Sequence, residues 1–185
     1  MTGRPMKFVP SITVPVFADD IARVEDFCER YRAKKPLPIS PAHKEVEKDY
    51  QFSGKLAECV TGRLLDLPVD WAVYAGRDEP DLVLRDGRTL GVRGVGVKFN
   101  MDHDYSLLWR EGEHITNYLA LGLVTPRRTH VWLAGYVDWP TFAAHATLRT
   151  DWAEHGDEQP LGVFRSLLKA FQDIVDGEAS LWGPE

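Results

Sequence analysis

The sequence predicts one α+β (mixed α/β) domain, and three observations carry that reading. Two helical patterns come first, a run of short β-rich segments with turn signals follows, and helical patterns return near the end. Helices and strands therefore do not alternate one by one as repeated βαβ units would. At 185 residues and 44% hydrophobic, the chain suffices for one buried core and is short for two ordinary domains. Charged residues make up 27%, an ordinary globular share that argues against global disorder.

Residues 7–17 (KFVPSITVPVF) are extended and broken by prolines, which allows at most an edge strand or a packed arm. A helix is expected over 18–34, capped by Asp19 or Asp20, with Ile21, Val24, Phe27, Cys28 and Tyr31 at helical spacing. The proline-rich stretch 34–44 reads as a loop. A second helix is expected from about 48 to 67, with Phe52, Leu56, Val60 and Leu64 on its apolar face and Pro68 beyond its end. Strands are expected at 71–74, 81–85 and 89–99, the last two joined by the hairpin signal Asp86-Gly87. Further strands follow at 105–109, 118–124 and 129–136, forming a meander, then a short helix at 138–146 opened by DWPTF. Residues 161–175 read as a closing amphipathic helix bearing Val163, Leu167, Leu168 and Phe171 on one side. The expected organisation is an arm, helix and proline-rich loop over 1–46 packed on a core of 47–176, with a tail at 177–185.

The formal net charge is −6, so nucleic acid held mainly by bulk positive charge is excluded, and any such contact needs a local basic patch. Arg127, Arg128, Arg149 and Lys169 are candidates for phosphate contacts. Cys28 and Cys59 lie in helical patterns without a spaced framework, as expected of two reduced buried thiols in a cytoplasmic protein. No apolar stretch reaches the length of a membrane span, so no membrane partner is expected. The six histidines are scattered, with no His-x-x-x-His pair and no Gly-x-Ser-x-Gly elbow. The six tryptophans occupy strand and helix-start positions, as packing residues would. The glycines of Gly91-x-x-Gly94-x-Gly96 match neither the Walker loop nor the dinucleotide fingerprint.

Two places could carry chemistry. Glu58 lies off the apolar stripe of the second helix and is flanked one turn away by Gly54 and Gly62, which suggests a close approach along that ridge. Asp81, after Pro80, heads an apolar strand joined by a hairpin to a second strand, a good arrangement for oxygen ligands to Mg²⁺.

Gly54-x-x-x-Glu58 on a helix, then Pro80-Asp81, an apolar strand, a hairpin and a second strand, resembles the PD-(D/E)XK nuclease superfamily. The later Val131-Trp132-Leu133-Ala134-Gly135-Tyr136 segment is similar to the continuation in phage-type members. The resemblance spans roughly residues 47–146 and implies a restriction-endonuclease-like core, a central mixed sheet flanked by helices. It implies Mg²⁺ or Mn²⁺ held by Glu58 and Asp81, and a DNA substrate, or RNA, cut by water in a metal-dependent phosphodiester hydrolysis. The third motif departs from the pattern: Gly91 stands where its carboxylate belongs and Arg93 where its lysine belongs. Strand alternation keeps Gly91 and Arg93 on one face and Val92 on the other. Arg93 can stabilise a phosphoryl oxygen but is a poor proton acceptor. Lys98 is a true lysine of opposite parity, reachable through a bulge at Gly94 or Gly96. Asp102, His103 and Asp104 could supply a migrated ligand, while Glu111 and Glu113 read as solvated surface. The alternative implied by the missing carboxylate is a degenerate binding or assembly module on the same fold. Strand edges of a short sheet also make a homodimer plausible.

Overall fold

A computed structural model describes residues 12–34, 41–73, 80–97, 105–110, 112–148 and 161–181. In chain order these form β1 (Ile12–Pro15), α1 (Ala18–Lys34), α2 (Pro41–Leu65), β2 (Leu82–Val83), β3 (Thr89–Gly96), β4 (Ser106–Trp109), β5 (Tyr118–Val124), β6 (His130–Asp138), α3 (Trp139–His145), β7 (Thr147–Leu148) and β8 (Leu161–Phe164). A 3-10 turn at Arg165–Leu167 and α4 (Gln172–Ser180) complete the chain. The fold is α+β: a five-stranded mixed sheet in the order β1-β6-β5-β3-β2, flanked by helices, with a second sheet of three strands, β4-β8-β7.

The expected edge strand at the N-terminus is β1, which pairs antiparallel with β6. Asp20 serves α1 from inside the helix: its carboxylate accepts Phe17 N–H at 2.9 Å, reaching back to the residue before the helix. The same carboxylate receives Arg63 at 3.1 Å, and the Cys59 thiol lies 3.6 Å from its other oxygen, which ties α1 to α2. Cys28 and Cys59 are buried and unbridged. The Asp86-Gly87 hairpin forms as its dipeptide predicts, with Gly87 at φ +85° and Asp86 accepting Arg88 N–H at 2.9 Å.

Several expectations are corrected. Helix α2 starts at Pro41, inside the stretch read as a loop; proline suits a first helical position, where no intrahelical donor is needed. Trp71 to Val73 form no strand. Trp71 instead lies edge-on to Phe27, with Arg23 over its ring. The strands are not a simple meander, because β3 and β5 run parallel and β4, between them in sequence, belongs to the small sheet. Residues 161–175 are not one helix: β4 recruits Leu161–Phe164 as an antiparallel partner, and α4 begins only at Gln172. Residues 177–180 close α4 rather than forming a tail, and buried Glu178 accepts Arg85 N–H at 3.2 Å.

The main sheet is buried on both faces, so β5 reads as a continuous apolar run. Its Ala120 and Val124 join the core under α1, α2 and α4, whereas Leu119, Leu121 and Leu123 join a second core with β4, β8 and α3. On β3, Leu90 and Val92 face α2, and Val95 packs toward the second core. The glycines of this region are packing devices. A Cβ on Gly94 would collide with the Ser53 carbonyl and lie 2.9 Å from Ala57 Cβ. One on Gly122 would lie 2.8 Å from Ala57 Cβ, and one on Gly96 would lie 2.8 Å from Asp49 Oδ2. The sheet thus admits the α2 backbone at close range because these positions lack side chains.

Candidate functional site

Strand β2 pairs only Leu82 with Leu90 and Val83 with Thr89. From Gly91 onward the outer edge of β3 meets no strand among the described residues, and a cleft of about 350 Å³ opens there. Helix α2 lines one side with Gln51, Gly54, Lys55 and Glu58. Beyond the sheet edge the lining continues with Ser106 and Leu108 of β4 and with Arg110, Glu113, His114 and Thr116. The aromatic wall is Phe27, Tyr31 and Tyr50.

Glu58, Asp81 and Arg93 meet at this cleft; Lys98 and the cluster Asp102, His103 and Asp104 lie outside the described residues, as does Glu111. Asp81 ends the pairing of β2 by accepting Val92 N–H at 2.6 Å, so a carboxylate takes the bond that the next strand residue would have made. Arg93 reaches Asp81 at 3.5 Å and Glu113 at 3.1 Å. Glu113, read from sequence as surface, also accepts Arg110 N–H at 2.9 Å, which holds the β4–β5 connection against the cleft.

Glu58 is buried, and the buried ammonium of Lys55 lies 2.7 Å from its Oε1. Lys55 also donates to the Asp70 carbonyl and sits 4.5 Å from the Phe27 ring centroid and 5.1 Å from that of Trp71. Burial, reinforced by the Asp81 carboxylate, pushes the Glu58 carboxyl up to about 8 despite its lysine partner. Near neutral pH Glu58 therefore holds a proton in much of the population, and Asp81 carries the charge of the pair. Lys55 is the main site residue that the sequence reading passed over. The signal was its i,i+3 spacing to Glu58, which places the two on one helix face.

The two glycines flanking Glu58 play opposite parts. Gly54 opens on the cleft, where an added Cβ would meet nothing within 4 Å. Gly62 is filled from outside, since a Cβ there would strike Val69 and lie 3.3 Å from Leu82 Cδ2. Of the basic residues considered for phosphate contact, Arg128 lies 3.8 Å from Asp49 and 3.8 Å from the Phe52 ring centroid, and Lys169 bridges Asp138 at 2.6 Å. Arg149 lies outside the described residues.

No family model and no curated protein matches this chain.

The site can be tested against the Mg²⁺ or Mn²⁺ that the motif resemblance implies. Such an ion needs several oxygen donors, of which two or three are ordinarily anionic. Glu58 is engaged by Lys55, and Asp81 by Arg93 and the Val92 N–H. Position 91 has no room for the third carboxylate: its Cβ would lie 2.9 Å from Leu119 Cδ2 and 3.1 Å from Thr116 Oγ1. Among the described residues no group of three or more His, Cys, Asp or Glu could hold a metal ion. The donor set does not fit. Within the cleft the protein's own ammonium and guanidinium stand beside the carboxylates that a cation would otherwise neutralise.

Proposed function

We propose that this chain is a PD-(D/E)XK-like binding module that has given up metal-dependent catalysis and engages DNA, or RNA, through the cleft at the β3 edge. The observation that carries the reading is the internal charge compensation, Lys55 against Glu58 and Arg93 against Asp81 and Glu113. A buried carboxylate so paired gives up its partner only at considerable cost, because removing one member leaves an uncompensated charge. The filled space beside Gly91 supports the same reading. The fold alone would not decide it, since one architecture serves many activities.

The competing reading, phosphodiester hydrolysis dependent on Mg²⁺ or Mn²⁺, draws on one observation. Glu58 and Asp81 lie close enough for the Asp81 charge to raise the Glu58 carboxyl, and perturbed carboxyls gather at active sites. The experiment separating the two uses the full chain with supercoiled, linear and single-stranded DNA, with and without each metal. The expected result is binding by fluorescence anisotropy without metal, no strand cutting, and no heat of metal binding. Cutting that requires metal and disappears in Asp81→Asn would overturn the proposal in favour of hydrolysis.

A further inference from the structure

We infer that the cleft accepts a single uncharged ring of the nucleobase kind, bearing a carbonyl beside ring N–H groups, and does not accept a phosphate at its centre. This rests on the binding-module reading and specifies which part of the nucleic acid enters. Two polar atoms in the lining carry the argument. Arg93 Nε and Ser106 Oγ are buried and have no hydrogen-bond partner among the described residues, and both residues line the same cleft. Buried donors are paired in nearly all folded proteins, so two orphans converging on one cavity point to a ligand that pairs them.

The charge around those atoms selects the ligand. The remaining nitrogens of Arg93 are occupied by Asp81 and Glu113, and Lys55 is held by Glu58 and the Asp70 carbonyl. Four acidic residues (Glu58, Asp70, Asp81, Glu113) line the cleft against three basic ones, Lys55, Arg93 and Arg110. A phosphate or carboxylate approaching Arg93 Nε therefore meets carboxylates already bound to the same guanidinium, and like charges at such range repel. A neutral carbonyl oxygen meets no such repulsion. Its adjacent ring N–H groups find carboxylate oxygens, which accept more than one hydrogen bond each. Phe27, Tyr31 and Tyr50 supply the flat apolar wall that a heterocycle stacks on, and about 350 Å³ suits one ring system with its sugar at the mouth. Arg110 is exposed at the rim, where a backbone phosphate of the same strand would pass. Guanine, uracil and thymine present the required edge, and reach the cleft from a single strand or an extruded position.

The test is calorimetric titration of the full chain with guanosine, thymidine, their 5′-monophosphates and inorganic phosphate, beside Ser106→Ala. The nucleosides bind, the monophosphates bind no more tightly, and inorganic phosphate gives no heat. Ser106→Ala weakens nucleoside binding about tenfold while its melting temperature stays level or rises, because the deleted hydroxyl has no partner in the free protein. Tighter binding of monophosphate or inorganic phosphate than of nucleoside overturns the charge argument. Unchanged nucleoside affinity in Ser106→Ala overturns the placement. Failure of nucleosides while a single-stranded oligonucleotide still binds overturns this inference alone; failure of both overturns the binding module with it.

Discussion

Replacing Glu58 by glutamine probes the centre of the cleft with the least change of shape. The side chain keeps an acceptor for Lys55 and loses only the ability to ionise. In the native protein the Glu58 carboxyl titrates near 8, whereas an unfolded glutamate titrates at about 4.3. Between those values the folded chain holds a proton that the unfolded chain has released, so stability falls as pH rises, by about 1.4 kcal/mol per pH unit. The contribution is fully present below the unfolded pKa and is lost as pH passes through the folded one. Over the whole window the loss approaches 5 kcal/mol as a ceiling. Glu58→Gln removes this slope. Its urea midpoint, measured beside the native chain at half-unit steps from pH 5 to 9, matches or trails the native one at the acid end and overtakes it toward the alkaline end. The difference between the two proteins isolates Glu58 from other titrating groups. A flat difference, or a native chain that gains on the variant as pH rises, would refute the reasoning. It would mean that Lys55 holds Glu58 as an ordinary ionised partner.

The packing of α2 gives a second prediction from two glycines on one ridge. Gly94→Ala drives a methyl group into the Ser53 carbonyl and costs about 3 kcal/mol or more in chemical denaturation, whereas Gly54→Ala, inside α2 with nothing within 4 Å, stabilises by about 0.5–1 kcal/mol. Restoring the motif carboxylate is a third. Gly91→Asp lowers stability by about 1–3 kcal/mol, since its Cβ meets Leu119 and Thr116, and it yields no Mn²⁺ binding by calorimetry. A fourth concerns α4: Glu178→Ala removes the buried acceptor of the Arg85 N–H and lowers the thermal midpoint by an amount equivalent to about 1–3 kcal/mol.

The sequence exposed features governed by local chemistry. Asp86-Gly87 announced its hairpin because few dipeptides accept that turn, and Asp138-Trp139-Pro140 announced α3, whose first turn Asp138 caps through the Thr141 N–H at 2.9 Å. What escaped was set by distant partners. Leu161–Phe164 carry apolar residues that fit either period, and the free edge of β4 decided for a strand. Trp71 has strand-like chemistry but is drawn off to cover Phe27 and the Lys55 ammonium. At the site, Glu58, Asp81 and Arg93 could be named from motif order alone. Glu113 and Thr116 could not, because the turn that carries them reaches the cleft only through the crossover from β3 by way of β4 to β5. The glycine-rich run of β3 pointed to close approach, and what approaches is the protein's own helix.

That contact between helix and sheet has a consequence for how the cleft can diversify. With Gly94 and Gly122 admitting α2 to backbone range, the height of Glu58 above the sheet edge is fixed by main-chain atoms rather than by side chains that could be exchanged. The cleft rim, by contrast, is built of residues such as Gly54, Ser106, Leu108 and Arg110, none of which fixes that spacing. Substitutions at the rim should therefore alter what is recognised without moving the floor. The molecule behaves as a rigid mount with an interchangeable mouth, a division of labour that lets a scaffold change ligand while its frame stays put.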